Sequence, residues 1–141
     1  MPRSRAVLRA VVTGVALFAS AGGAADAPTL WTSAQVEWAE VAEPAGGRQA
    51  LLWKDAATGD KGTLNSWKFN TRNPPRTSDR DTHFVVLAGT FTVDLDGAEQ
   101  KQFGPGGFVS IPRGTRYAPG CEAVGECIFV MHEPPRGANS Q

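Results

Sequence analysis

Short strand-like runs separated by turn residues constrain the fold of this chain more than any other feature. Between Ala50 and Met131, runs rich in β-branched and aromatic residues recur at intervals of about ten residues. No window in this region shows an apolar stripe at helical spacing. Many short strands without helices predict a small antiparallel barrel or sandwich. The predicted strands cover 50–53, 63–69, 83–87, 90–95, 108–111 and 128–131.

Turn residues mark where these strands end. Asp96-Gly97 is a two-residue hairpin signal, and Gly104-Pro105-Gly106-Gly107 predicts a second turn. Asn73-Pro74-Pro75 is excluded from a central strand because proline has no amide donor for the ladder. The chain therefore reads as all-β, with loops rather than helices between its strands.

The first 25 residues have the order of a secretory signal. Arg3, Arg5 and Arg9 precede an apolar run over 10–19 and a small-residue stretch over 19–27. The apolar run is shorter than the roughly 20 residues of a membrane helix, which disfavours the alternative of an uncleaved anchor. Small residues at the −3 and −1 positions predict cleavage after Ala21 or Ala25. The mature protein is then periplasmic or secreted, with no membrane attachment.

One domain is expected after cleavage. About 115 residues remain, which is enough for a single hydrophobic core. We assign residues 28–133 to this domain and residues 134–141, rich in Pro, Gly, Asn and Ser, to a loose tail. Residues 28–49, with Trp31 and Trp38, are expected to add an edge strand or to wrap one mouth of the barrel.

The charge distribution argues against nucleic acid as a partner. The chain has 14 basic and 14 acidic residues, and three arginines belong to the predicted signal, so 11 basic residues remain. The mature chain is mildly acidic and has no basic stripe. A small-molecule ligand is the partner expected instead.

Cys121 and Cys127 are the only two cysteines and are predicted to form a disulfide. An isolated pair in an oxidising compartment is most simply a structural bridge. The pair brackets residues 122–126, and we expect it to close a hairpin. A redox-active pair is the alternative, although the spacing is not Cys-x-x-Cys and no flanking histidine or lysine would lower a thiol pKa.

The spacing from Gly106 to Pro112, Gly114 and Tyr117 resembles the second cupin motif, which has glycine, five residues, proline, one residue, glycine, two residues and histidine. Tyr117 takes the histidine position. Together with other local similarities over about 51–133, this resembles the exported, ChrR-like cupins of the DUF4437 type. The resemblance implies a single small antiparallel jelly-roll β-barrel. It leaves open a homodimer, because jelly-roll cupins frequently pair through edge strands.

The first cupin motif, His-x-His, four residues and a carboxylate, aligns with Arg76, Ser78 and His83, and the glycine that follows arrives one residue early at Gly89. The resemblance thus places Arg76, Ser78, His83 and Tyr117 at the four ligand positions of a metal-binding cupin. Arginine has no lone pair to donate, serine is a weak neutral donor, and tyrosine is protonated near pH 7. One histidine does not hold a metal, so no metal or other cofactor is expected.

These residues suggest other chemistry. Arg76 can recognise a carboxylate or phosphate, with Ser78 beside it, or can be a solvated loop residue. His83 can exchange a proton near neutral pH, with Asp81, two residues earlier, orienting its ring, or can be an inward-facing polar residue that Asp81 or Ser78 satisfies. Tyr117 can act as an acid or be a core residue. Other expectations, without a catalytic role, concern packing and exposure: Trp67 and Phe69 pack the barrel, with Trp67 able to line a ligand pocket, and His132 is exposed and idle.

Three functional hypotheses follow. The leading one is an exported cupin that binds a small polar or anionic molecule without a metal, with catalysis left open. The second is a metal-free isomerase, epimerase or lyase with His83 as base and Tyr117 as acid. The third is a metal-dependent oxygenase with an irregular ligand set that recruits Asp81 beside His83.

Overall fold

The fold is all-β, as predicted. The computed structural model describes residues 27–137, so the predicted signal peptide over 1–25 lies outside the described residues. Residues 27–30 have no regular secondary structure, and from Trp31 onward the described residues form one compact unit. The elements of this unit are a 3-10 helix at Ser33–Gln35 and the strands β1 (Ala39–Glu40), β2 (Arg48–Lys54), β3 (Lys61–Trp67), β4 (Arg76–Thr77), β5 (Thr82–Ala88), β6 (Phe91–Leu95), β7 (Lys101–Phe103), β8 (Phe108–Ile111), β9 (Arg116–Cys121) and β10 (Cys127–Glu133).

Two antiparallel sheets form the domain. The six-stranded sheet has the order β1-β2-β3-β10-β5-β8, and the four-stranded sheet has the order β4-β9-β6-β7. From β3 onward the chain changes sheet at every connection except the one between β6 and β7, so most strands that are consecutive in sequence lie in opposite layers. This is the jelly-roll arrangement that the sequence predicted. No helix among residues 27–137 is long and apolar enough to cross a membrane.

Alternating side chains build the interior. Along β5, Thr82, Phe84 and Val86 are buried, while Val85 and Leu87 on the opposite face are exposed. Successive side chains of a strand point to opposite faces, so one face of β5 packs into the core and the other faces out.

An aromatic cluster fills the space between the sheets. Phe129 lies 4.8 Å from Phe91 and 4.9 Å from Trp67, and Phe84 lies 5.2 Å from Phe91, measured between ring centroids. All four side chains are buried. The predicted packing role of Trp67 is confirmed, whereas Phe69 is 63% exposed and the expectation that it packs the barrel is wrong. The reason is that β3 ends at Trp67, so the strand alternation does not extend to residue 69.

Both predicted turns are present. The Ala98 N–H donates to the Leu95 carbonyl around Asp96-Gly97, and the Gly107 N–H donates to the Gly104 carbonyl. Gly97 has a φ of 72°, a left-handed conformation that glycine adopts without steric cost.

The predicted disulfide between Cys121 and Cys127 is present, but it does not close a hairpin. Cys121 ends β9 in the four-stranded sheet, and Cys127 begins β10 in the six-stranded sheet. Their Cα atoms are 5.9 Å apart and both residues are fully buried. The bridge therefore joins the two layers across the short connection over 122–126.

The flanking segments add to the domain edges. Ala39 and Glu40 pair with β2 as an edge strand, which confirms one expectation for residues 28–49. The Arg48 guanidinium lies 5.0 Å over the Trp38 ring. At the other end, the Arg136 N–H donates to the Thr58 carbonyl, so the predicted tail is tied to the domain where it begins.

Candidate functional site

A cavity of about 230 Å³ opens between the two sheets. Its lining comes from both layers and from the segment between β1 and β2. Side chains of β4 and β9 form one wall, and side chains of β2, β3 and β10 form the opposite wall.

The first wall contains Arg76 and Tyr117, which are register partners in β4 and β9. The Arg76 guanidinium lies 5.4 Å from the centroid of the Tyr117 ring, within the range of a cation–π contact. Arg76 is exposed, and Tyr117 is 4% exposed and packs against Phe84. A buried phenol beneath an exposed guanidinium places one neutral donor and one permanent cation at the cavity.

Two hydroxyl groups come from the connection between β4 and β5 and from the start of β5. The Ser78 and Thr82 side chains are buried, with their oxygens 3.2 Å apart. The Ser78 hydroxyl also donates to the Arg80 carbonyl, and the Thr82 hydroxyl lies 3.3 Å from the same oxygen. This shared acceptor fixes both hydroxyls at the start of β5.

The opposite wall carries a pair of amide side chains that the sequence analysis missed. The Gln49 Nε2 donates to the Asn65 Oδ1 at 2.9 Å, and the Asn65 Nδ2 donates to the Thr63 Oγ1 at 3.0 Å. Thr63, Asn65 and Trp67 are buried and share one face of β3, because side chains two positions apart in a strand point to the same face. The period-two spacing back from Trp67 was the signal that could have identified Asn65 as an interior residue.

His83 does not lie in the cavity, and its predicted convergence with Arg76 and Tyr117 is wrong. Thr82 lines the cavity and His83 faces the other side of β5. With Thr82 rather than His83 in the carboxylate position of the first motif, the interval to Gly89 lengthens by one residue, so the glycine no longer arrives early. The motif was therefore aligned one residue too far along the strand.

Asp81 lies just before β5, where its Oδ1 accepts a hydrogen bond from the Arg113 N–H at 2.9 Å. This contact connects the start of β5 to the loop that follows β8. A role of Asp81 in orienting His83 stays a prediction. Trp67 lines the floor of the cavity beside Phe129.

The residues at the four cupin ligand positions do not fit a metal. Arg76, Ser78, Thr82 and Tyr117 offer one cation and three neutral oxygens, and a guanidinium cannot coordinate a metal ion. Within residues 27–137, no group of three or more His, Cys, Asp or Glu side chains is arranged to hold a metal ion.

Carboxylates surround the mouth of the cavity beside the single guanidinium of Arg76. Glu43, Asp79 and Glu133 belong to the lining. Glu133 is 3.6 Å from the Lys61 Nζ and 3.9 Å from the Arg80 Nε. Lys61 and Arg80 thus offset part of this negative charge, and the mouth presents both signs.

Residues 26–136 match the family described as the ChrR cupin-like domain. The chain belongs to that family. No curated protein matches the sequence.

Solved structures agree with this assignment. KdgF from Halomonas sp. superposes with a TM-score of 0.64 at 17% identity, over 79% of this chain and 97% of KdgF. The polyketide cyclase RemF from Streptomyces resistomycificus gives a TM-score of 0.65 at 23% identity, over 77% of this chain and 80% of RemF. A chain from the complex of Rhodobacter sphaeroides SigE with the anti-sigma ChrR gives 0.59 at 20% identity, over 72% of this chain and 51% of that chain. At these identities the likeness establishes the cupin fold alone.

Proposed function

We propose that this cupin binds a small polar molecule carrying a carboxylate or phosphate group in the cavity between its sheets, without a metal. The observation that carries the proposal is the lining itself. One guanidinium, four hydroxyl-bearing side chains and an amide pair belong to the lining of the cavity and come from different strands. Such a set can orient a polar ligand through directional hydrogen bonds, and Trp67 and Phe129 add apolar surface to the lining.

Arg76 is the group that would recognise the anion. A guanidinium binds carboxylate and phosphate through paired, charge-assisted hydrogen bonds. The Tyr117 ring, 5.4 Å away, holds the guanidinium over the mouth. Beneath it, the Ser78 and Thr82 hydroxyls and the Asn65 amide are positioned to contact the hydroxyl groups of a ligand.

The volume and charge of the cavity restrict the ligand. At about 230 Å³ the cavity is smaller than the roughly 300–1,000 Å³ typical of drug-sized sites. The carboxylates of Glu43, Asp79 and Glu133 would repel a polyanion. A single anionic group on a hydroxylated skeleton, about the size of a monosaccharide acid, fits both limits.

The hypothesis of a metal-free enzyme is disfavoured because its proposed base, His83, does not line the cavity. A reaction with His83 as base and Tyr117 as acid requires both side chains at one ligand, but they lie on opposite sides of the six-stranded sheet. The metal-dependent alternative, with Asp81 recruited beside His83, also lacks a place in the cavity. Ligand binding is therefore the proposed function. Tyr117 is the one hydrogen-bond donor in the cavity that could also transfer a proton.

Matched ligand pairs test this proposal. Monosaccharide acids and small hydroxy acids are compared with their neutral counterparts by thermal shift, followed by calorimetric titration of those that stabilise the protein. We expect stabilisation by anionic members only, and a loss of affinity of about tenfold or more in Arg76→Gln, since a charge-assisted hydrogen bond contributes about 1.5–3 kcal/mol.

Arg116→Gln is the matched control. Arg116 lies next to Tyr117 in β9, but its Nε contacts the Asp96 carboxylate at 3.1 Å, away from the cavity lining. Equal losses in Arg76→Gln and Arg116→Gln would show that only net charge matters. Stabilisation by the neutral counterparts alone would rule out anion recognition.

We also propose that the chain is exported. The signal-like order of residues 1–25 and the buried disulfide support this, because disulfides persist in oxidising compartments. Cell fractionation with N-terminal sequencing tests it. Mature protein that begins after Ala21 or Ala25 in the periplasm or medium is expected, and an intact N-terminus in the cytosolic fraction would contradict it.

A further inference from the structure

The only two histidines of the chain face each other on the outside of the six-stranded sheet. His83 in β5 and His132 in β10 are register partners, and their ring centroids are 5.6 Å apart. Side chains directly opposite on antiparallel strands have Cβ atoms about 4.5–5.5 Å apart and interact. His132 is half-buried rather than exposed and idle, so that expectation is wrong.

A carboxylate orients one of the two rings. The His132 Nε2 lies 2.7 Å from the Asp60 Oδ1. A neutral imidazole that donates its Nε2–H to a carboxylate keeps its lone pair on Nδ1. Histidines that bind metals commonly donate their other N–H to a carboxylate in this way, which fixes the tautomer and makes the ligating nitrogen more basic.

Aromatic side chains flank the pair. The Trp53 ring is 5.7 Å from His132, and the Phe108 ring is 5.7 Å from His83. Trp53 lies over Gly62 so closely that a Cβ at that position would be 2.2 Å from the indole ring. These contacts restrict both imidazoles from the two sides, so little rotamer entropy is lost when they bind a shared ion.

We propose that His83 and His132 chelate one divalent transition-metal ion, with Cu²⁺ bound most tightly, on the outer face of the sheet. Imidazole nitrogen suits copper, nickel and zinc, and affinity for such sites peaks at Cu²⁺. Because no group of three or more His, Cys, Asp or Glu side chains within 27–137 is arranged around a metal, water completes the coordination. The site is therefore an exchangeable one and is separate from the cavity, whose lining does not include His83 or His132.

The test is a titration of the full chain, purified without a histidine tag, with CuCl₂ alone. Calorimetry is expected to give one Cu²⁺ per chain, and Trp53, next to His132, should report binding through quenched fluorescence. Each of His83→Gln and His132→Gln should weaken binding at least about tenfold, because each removes one of two imidazole ligands. Asp60→Asn should weaken it by about tenfold through the lost orientation of His132.

Two controls separate this site from others. Tyr117→Phe alters the cavity and should leave copper affinity unchanged, whereas Trp53→Phe should keep binding and remove most of the quenching. Electron paramagnetic resonance of the unsubstituted protein with one Cu²⁺ should show coupling to two nitrogen nuclei, which does not depend on how any variant folds. Coupling to fewer than two nitrogens, or copper affinity within threefold of the starting protein in either histidine variant, would overturn the proposal.

Discussion

Removal of the disulfide between Cys121 and Cys127 is expected to destabilise the domain substantially although the bridge closes only a short loop. The bridge connects β9 in one sheet to β10 in the other, and both cysteines are fully buried. Without it, the unfolded chain gains freedom and the two layers lose their covalent tie. The double variant Cys121→Ala/Cys127→Ala tests this.

The expected size follows from the loop length. The two cysteines are six positions apart, so the closed loop has seven residues, for which the chain-entropy relation gives about 2.4 kcal/mol at 25 °C. For a domain of roughly 110 residues, with an unfolding entropy of about 0.23 kcal/mol/K, this corresponds to a Tm lower by about 10 °C. The measurement is urea unfolding followed by tryptophan fluorescence, supported by calorimetry.

Two comparisons isolate the covalent bond. Protein reduced in the unfolded state and kept under reductant should lose about the same free energy of unfolding as the double variant. Val124→Ala changes an 83% exposed side chain in the same connection and should stay within about 0.5 kcal/mol of the starting protein. A loss below about 0.5 kcal/mol on reduction would refute the reasoning, since the connection would then hold the sheets together without the bond.

Two further predictions concern Phe129 in the core and Glu126 in the connection over 122–126. Phe129→Ala should lower the free energy of unfolding by about 3–5 kcal/mol in urea, because the ring is 1% exposed and packed by aromatic neighbours; a loss under 1.5 kcal/mol would show that the cluster collapses into the space. The Ser66 hydroxyl, and secondarily Arg48, hold the pKa of Glu126 below its ordinary value of 4.5. The stabilisation from the lowered pKa is fully present above pH 4.5 and is lost as the pH falls through the lowered pKa. Glu126→Gln should therefore lose less free energy of unfolding than the unsubstituted protein between pH 7 and pH 3. The difference should be under about 1 kcal/mol, because Arg48 and Glu126 are both largely exposed. An identical pH dependence would contradict it.

The strands were predictable because their composition and turn signals are local. The run over 108–111 matches β8 residue for residue, and the Asp96-Gly97 turn is where the sequence places it. Such features depend on residues within a few positions of each other, so no knowledge of the tertiary fold is needed.

The sequence analysis placed His83 on the inner face of β5, whereas it lies on the outer face. The cause is a one-residue error in the alignment of the strand with the motif. A shift of one residue moves every side chain of a strand to the opposite face. The position of Gly89, one residue early in the motif, indicated that shift. With Thr82 at the inward-facing position, the spacing to Gly89 is regular. The alignment placed His83 at a ligand position because histidine is the residue type that these positions of cupins favour.

Which sheet each strand joins could not be predicted from the sequence. The pairing of Cys121 with Cys127 follows from their being the only cysteines, but whether β9 and β10 are neighbours in one sheet depends on which strands compete for their edges. Pro119 further obscured β9, since proline is uncommon within strands.

The placement of the disulfide has a consequence for how a ligand enters and leaves. Cys121 follows Tyr117 by four residues along β9, and Cys127 precedes Met131 by four along β10, which places the covalent tie roughly 13 Å along the strands from the side chains of the mouth. At the mouth, the short connections over 78–81 and 112–115 also join the two layers, and there the Ser78 N–H donates to the Thr115 carbonyl and the Gly114 N–H to the Ser78 carbonyl. A ligand therefore enters between layers that are tied together at both ends of the strands, so side-chain movement at the mouth rather than parting of the sheets limits its size.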